Sequence, residues 1–251
     1  MRLLLVLAPL ALALLGPLFV PERQQRHAPF TDSGPLGTDF VGRDVWYQVL
    51  SGGRTVVLVA VVAAALAYAI GVPYGVAAAT TRRRWVDEVL MRPLDLLLAV
   101  PSLLVLILVA TIAGPGLVVL IVVVALVGFP DVARISRAAA LEVAGRPALE
   151  AMRLQGESLR RRTGYIGRSI SRSLAADLGT RLTASLYLVA SASFLGVGVP
   201  PDAADWAVMV DRNRVGLFLQ PWAVVVPAAL IVCLSVGVNL VFDRALKEVR
   251  P

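Results

Sequence analysis

Long stretches without a charged residue alternate with polar segments along this chain. Leu3–Pro21 is uncharged over 19 residues, Thr55–Thr81 over 27, Leu96–Pro130 over 35, Leu182–Pro201 over 20 and Val215–Phe242 over 28. A hydrocarbon core of roughly 30 Å takes about 20 helical residues, so each run reaches or nearly reaches across one. The longest is too long for one crossing. Gly114-Pro115-Gly116 marks a tight turn inside it and divides it into spans near Asp95–Ala113 and Leu117–Ile135. The pattern therefore predicts an all-α polytopic membrane protein with about six transmembrane helices. Pro73, between Gly71 and Gly75, is expected to kink or end the second span, Pro101 to bend the third and Pro227 to bend the last. The first run lacks an A-x-A-like cleavage site, so it is expected to stay as a helix rather than be removed as a leader.

The polar segments carry their own pattern. Glu22–Arg54 reads as a solvated loop leading into a short surface helix, with Trp46 and Tyr47 at headgroup level and a local network among Asp39, Arg43 and Asp44. Arg82–Arg84 and Trp85 read as an interface anchor. Glu88 and Arg92, four apart, can pair on the helix that comes next. Asp131, Arg134 and Arg137 share a helix face near the surface. In the segment 136–181, Pro147 can open a helix because the first helical position has no use for an N–H. Glu150 then falls near the positive helix end, and Leu149 and Met152 share a face. Gly156 interrupts or closes this helix, and Ser158 can cap a second, basic one containing Arg160–Arg162. Ala184, Ser185, Ala190, Ser191, Ala192, Ser193 and Gly196 allow close helix approach or could line a polar path.

Composition excludes several function classes. Apolar residues make up 58% of the 251 and charged residues 16%, against about 25% charged in a soluble domain. Cys233 is the only cysteine and His27 the only histidine, which leaves little material for disulfides, zinc or histidine-based catalysis. The net charge of +7 follows topology rather than nucleic acid: six spans put 18 of the 24 Lys and Arg on one side. The positive-inside tendency makes that side, with both termini and segment 136–181, cytoplasmic, where anionic lipid is also a contact. No phosphate-loop motif is present, and the aspartates sit at span ends rather than mid-membrane, which disfavours an ion-coupled carrier. Energy for transport would enter from elsewhere, with no catalytic site, cofactor or metal on this chain.

Four phrases together resemble a known family. They are Glu150-Ala151-Met152, Gly156 and Ile166; Gly34-Pro35-Leu36-Gly37-Thr38-Asp39 with Gly42-Arg43-Asp44-Val45; Trp85-Val86-Asp87-Glu88 with Met91-Arg92, Asp95 and Pro101-Ser102; and Ser193-Phe194-Leu195-Gly196-Val197-Gly198 with Pro200-Pro201 and Asp205-Trp206. The chain resembles the inner-membrane permease subunit of a binding-protein-dependent ABC importer of the oligopeptide, dipeptide and nickel group, second permease type. The first phrase departs from the family's loop pattern. Met152 stands for the second Ala, Glu157-Ser158 for Ala-Ser, and Arg168-Ser169 for Leu-Pro. The resemblance implies a type I ABC importer permease fold in the bacterial or archaeal inner membrane. Residues 1–54 would form a first helix, extracytoplasmic loop and interfacial helix, and 55–251 the core permease domain. Implied partners are a second homologous permease, two ATPases that hold ATP and Mg2+, and an extracytoplasmic substrate-binding protein. Implied ATPase-coupling residues are Leu149, Glu150, Ala151, Met152, Gly156 and Ile166, with Leu149 and Met152 as the apolar contact and Gly156 at a turn that a side chain would crowd. Small peptides are the implied solute, and nickel chelates or opines are alternatives. The competing reading is a carrier or structural membrane subunit with no ABC ATPase.

Overall fold

The computed structural model describes residues 2–21, 25–81, 83–114, 116–200 and 202–248. Arg82, Pro115, Pro201 and Arg250 therefore lie outside the described residues. The chain forms α1 (Arg2–Leu15), followed by a 3-10 turn over Gly16–Phe19, then α2 (Val45–Thr80), α3 (Arg84–Ala99) and α4 (Ser102–Ala113). Next come α5 (Leu117–Ala144), α6 (Pro147–Leu154), α7 (Leu159–Phe194), α8 (Trp206–Asn213), a 3-10 turn at Arg214–Gly216, and α9 (Trp222–Glu248).

Among the described residues three helices are long and apolar enough to cross a membrane alone: α2, α5, and α9 over Trp222–Phe242. A fourth is counted if α3 and α4, bent by 90° at their break, form one broken span. The six expected spans thus do not appear as six long apolar helices. The stretch Asp95–Ala113 is split at Val100–Pro101, because the residue before a proline leaves the α region. The run at Leu182–Pro201 supplies only the second half of α7, whose first half is polar. The run at Leu3–Pro21 gives a short helix and a single 3-10 turn.

Prolines are carried inside long helices. Pro73 does not end α2, which continues to Thr80, and Pro130 lies within α5. The expected surface helix before the second span is instead the first turns of α2. Asp44 caps it by accepting a hydrogen bond from the Trp46 N–H at 2.8 Å.

α2 and α5 form the central pair, with α7 beside both and α1 against α9. Lipid tails are as apolar as leucine, so close packing of small residues holds such helices together. Ala60, Ala63, Ala64 and Ala67 of α2 are buried. Lower down, a Cβ on Gly71 would come within 2.9 Å of Val132, and one on Gly75 within 2.8 Å of Ser136 and Arg137. The apolar interior falls into two clusters. One fills the upper bundle, from Val45 and Trp206 down to Leu106, Val124 and Val189. The other, around Val76, Ala140, Val143, Leu149, Ile166 and Ile170, sits where α2, α5, α6 and α7 meet.

Candidate functional site

The segment between α5 and α7 folds as its residues direct. Arg146 is extended, Pro147 opens α6, and Glu150 lies in its first turn. The helix stops after two turns in a glycine-terminated cap: the Gly156 N–H donates to the Arg153 carbonyl at 3.1 Å and the Glu157 N–H to the Met152 carbonyl at 3.0 Å. This cap needs a left-handed residue, and Gly156 has φ +72°. A Cβ there would meet nothing within 4 Å. The glycine is therefore required by backbone conformation and not, as the sequence suggests, by crowding. Ser158 then caps α7, accepting from the Arg161 N–H at 3.4 Å.

Leu149 does not lie on a free face. It is 1% exposed, packed with Ile166 (0%) and Ile170 (1%), so the expected apolar contact with a partner is instead the peg that fixes α6 to its own chain. Met152 packs at the edge of the same cluster. Glu150 and Ala151 are exposed, and Leu154, 85% exposed, is the apolar residue this helix presents outward. Sequence reasoning does not single out Leu154, although its position beside the helix-ending glycine is a usable signal. A groove of about 660 Å³ beside α6 is lined by Met152, Ser158, Arg160, Arg161, Tyr165 and Arg168 among others, so this surface is cationic.

The other three phrases serve structure. Gly37 and Gly42 have positive φ, Thr38 and Asp39 are buried, and the loop is no slack solvated segment. Asp39 Oδ1 accepts from the Arg43 N–H at 2.7 Å and the Val41 N–H at 3.0 Å, while Oδ2 accepts from Arg43 Nε at 2.7 Å. Arg43 reaches on to the Asp202 carbonyl, and Asn213 Oδ1 accepts from the Phe40 N–H at 2.9 Å. Asp87 pairs with Arg137, Asp95 with Arg134, and Glu88 with Arg92 at 3.1 Å. α3 is thereby clamped to α5. Gly196 (φ +73°) closes α7 with the same cap as Gly156, and Gly198 (φ +84°) sits against Leu120.

Two features lie beyond the sequence expectations. Asp205, in the loop between α7 and α8, is fully buried. Its Oδ1 caps α8 by accepting from the Ala207 and Val208 N–H groups, while Oδ2 has no partner among the described residues. Burial pushes its carboxyl up to about 6, against the pull of those two donors. The second feature is a groove of about 920 Å³ along α7 and α9, lined by Thr180, Thr183, Tyr187, Ser191, Ser235 and Asn239 with apolar residues between them, and, among the described residues, by no charged side chain. Among the described residues no group of three or more His, Cys, Asp or Glu could hold a metal ion.

Comparison with known proteins gives a family, relatives and a fold. The family model described as binding-protein-dependent transport system inner membrane component matches residues 71–251. A Brucella abortus protein named as a putative peptide permease is 34% identical over 250 residues, covering 96% of this chain and 82% of the relative. The oligopeptide transport system permease protein OppC of Bacillus subtilis is 30% identical over 209 residues, covering 83% of this chain and 68% of the relative. Among solved structures, a chain of the inward-facing MetNI methionine ABC transporter superposes with TM-score 0.66 at 18% identity, covering 82% of this chain and 97% of that one. That likeness concerns the fold.

Proposed function

The chain belongs to the family of binding-protein-dependent transport system inner membrane components, and from that membership we propose that it is one of two homologous permease subunits of an ATP-driven importer of small peptides. The peptide reading rests on the names of its relatives. The observation that carries the coupling is α6: a two-turn helix on the junction of α5 and α7, pegged by Leu149 and closed by Gly156. In this reading Glu150, Ala151, Met152 and Leu154 face a separate ATPase, and Leu149 and Ile166 make the chain follow what that ATPase does.

The proposed membrane arrangement has six crossings: α1 with its 3-10 turn, α2, the bent α3–α4 pair, α5, the apolar half of α7, and α9. The distribution of Lys and Arg supports α6 and both termini in the cytoplasm. Two ATPase subunits with ATP and Mg2+ would dock there, and a substrate-binding protein would deliver solute to the opposite face. ATP can drive the cycle only if the two conformations bind ATP, ATPase or solute with different affinities.

The test is co-purification in detergent of the chain with its chromosomally neighbouring gene products, followed by ATPase assay in lipid. The expected outcome is a complex of two different permeases with ATPase, stimulated by peptide-loaded binding protein. Uptake that proceeds without any ATPase, driven by an ion gradient, would overturn the reading.

A further inference from the structure

The two apolar clusters are separated by a layer of polar side chains. Arg181 of α7 donates through Nη1 to Asp131 of α5 at 2.6 Å and through Nε to Asp177 at 3.1 Å. Tyr68 of α2 donates its hydroxyl to Asp177 at 3.0 Å. One arginine thus links α7 directly to α5, and through Asp177 to α2. Its side chain is 19% exposed and that of Asp177 11%. Asp131 comes directly after the uncharged part of α5, and Arg181 directly precedes the uncharged part of α7.

At this same level each helix carries a local weakness. α5 has Pro130 beside Asp131, which removes a helix hydrogen bond. α2 has Pro73 just below Tyr68. α7 has Gly179 between Asp177 and Arg181, where a Cβ would strike Phe242 of α9. Cavities of about 150 and 240 Å³ both border Asp131, so there is spare volume beside the layer. Close-packed cores move as units, whereas prolines, glycine and spare volume let a plane between them yield.

We infer that this layer is the hinge between the α6-bearing cytoplasmic cluster and the membrane bundle, and that Arg181 and Asp131 are positioning residues that keep α5 and α7 in step as it bends. Without the pair, α6 would still be moved by the ATPase, but the groove along α7 would not follow. The inference rests on the ATP-coupled reading above.

The experiment measures solute imported per ATP hydrolysed by the reconstituted full complex, normalised to assembled complex. Asp131→Asn and Arg181→Gln are each expected to lower that ratio by about fivefold or more, the lower end of ordinary coupling energies. The double variant should be no worse than either single, because both remove one interaction. Arg181→Lys should keep most of the ratio. Pro130→Ala, which restores a backbone donor without touching the ion pair, should also lower it, and serves where Arg181→Gln fails to assemble. An unchanged ratio in these variants, or losses that multiply in the double variant, would overturn the hinge. Wild-type complex that imports without ATP would instead remove the reading beneath it.

Discussion

At the residue scale, Gly156 shows how a backbone requirement differs from a packing one. Space is open around it, so the cost of a side chain is that of the left-handed conformation, about 1 kcal/mol for Ala and less for Asn. Proline is different: its φ is fixed near −65° and it lacks the N–H that closes the cap onto Arg153. Gly156→Pro should abolish ATP-coupled uptake while the protein still inserts at its normal level, and Gly156→Asn should retain uptake. Transport assays at matched protein levels check both.

Asp205 gives a pH prediction with a definite sign. Its folded-state carboxyl is raised to about 6 from 3.8, so the fold favours the neutral form. The stability this gives is complete below about pH 4 and is lost as pH rises through 6. Asp205→Asn keeps an oxygen to cap α8 and removes the charge. It should stabilise the detergent-solubilised protein at pH 8, on the order of 2 kcal/mol, and do nothing at pH 3.5. Thermal unfolding at the two pH values decides it. In the sequence Asp205-Trp206 is only part of a phrase. Nothing in the local pattern says that the carboxylate is buried, since the burying atoms come from other elements, such as Gly52 of α2 packed on the Trp206 ring.

At the scale of elements, uncharged runs and punctuating glycines and prolines are legible where one element depends on its own residues. The starts at Pro147 and Ser158 and the break near Gly114 and Gly116 are examples. They mislead where a neighbour decides. Leu149 and Met152 share a face, yet periodicity does not tell that the face is covered by α7. Glycines separate the same way. Gly75 touches α5 and Gly164 touches nothing, although both lie inside helices. Gly75→Ala should force α2 from α5 and cost about 1–3 kcal/mol. Gly164→Ala should stabilise α7 by roughly 0.5–1 kcal/mol. Unfolding midpoints in one detergent, compared with wild type, test the opposite signs.

At the scale of the whole molecule, the loop before α2 acts as a clasp. Asp39 holds Arg43, Arg43 reaches Asp202, Phe40 reaches Asn213, and Gln220 donates to Thr31 at 3.2 Å. Residues far apart in sequence meet there, which is why the loop looks solvated from sequence alone. Asp39→Ala removes three hydrogen bonds, two to backbone N–H groups and one to a guanidinium, and leaves that guanidinium half-buried. A loss of about 2–3 kcal/mol is expected. It should appear as protease cleavage within residues 25–44 of the detergent-solubilised protein, which the wild-type loop resists.

The groove along α7 and α9 offers hydroxyls, an amide and hydrocarbon, but no fixed charge. If solute passes along it in the proposed importer, such a surface has no charged grip on any one solute. Discrimination is then separable from passage. In that reading, exchanging the proposed substrate-binding protein would change what enters while this subunit is left as it is. Selection on this chain would then fall on its caps, interfaces and proposed hinge more than on the walls of the proposed path.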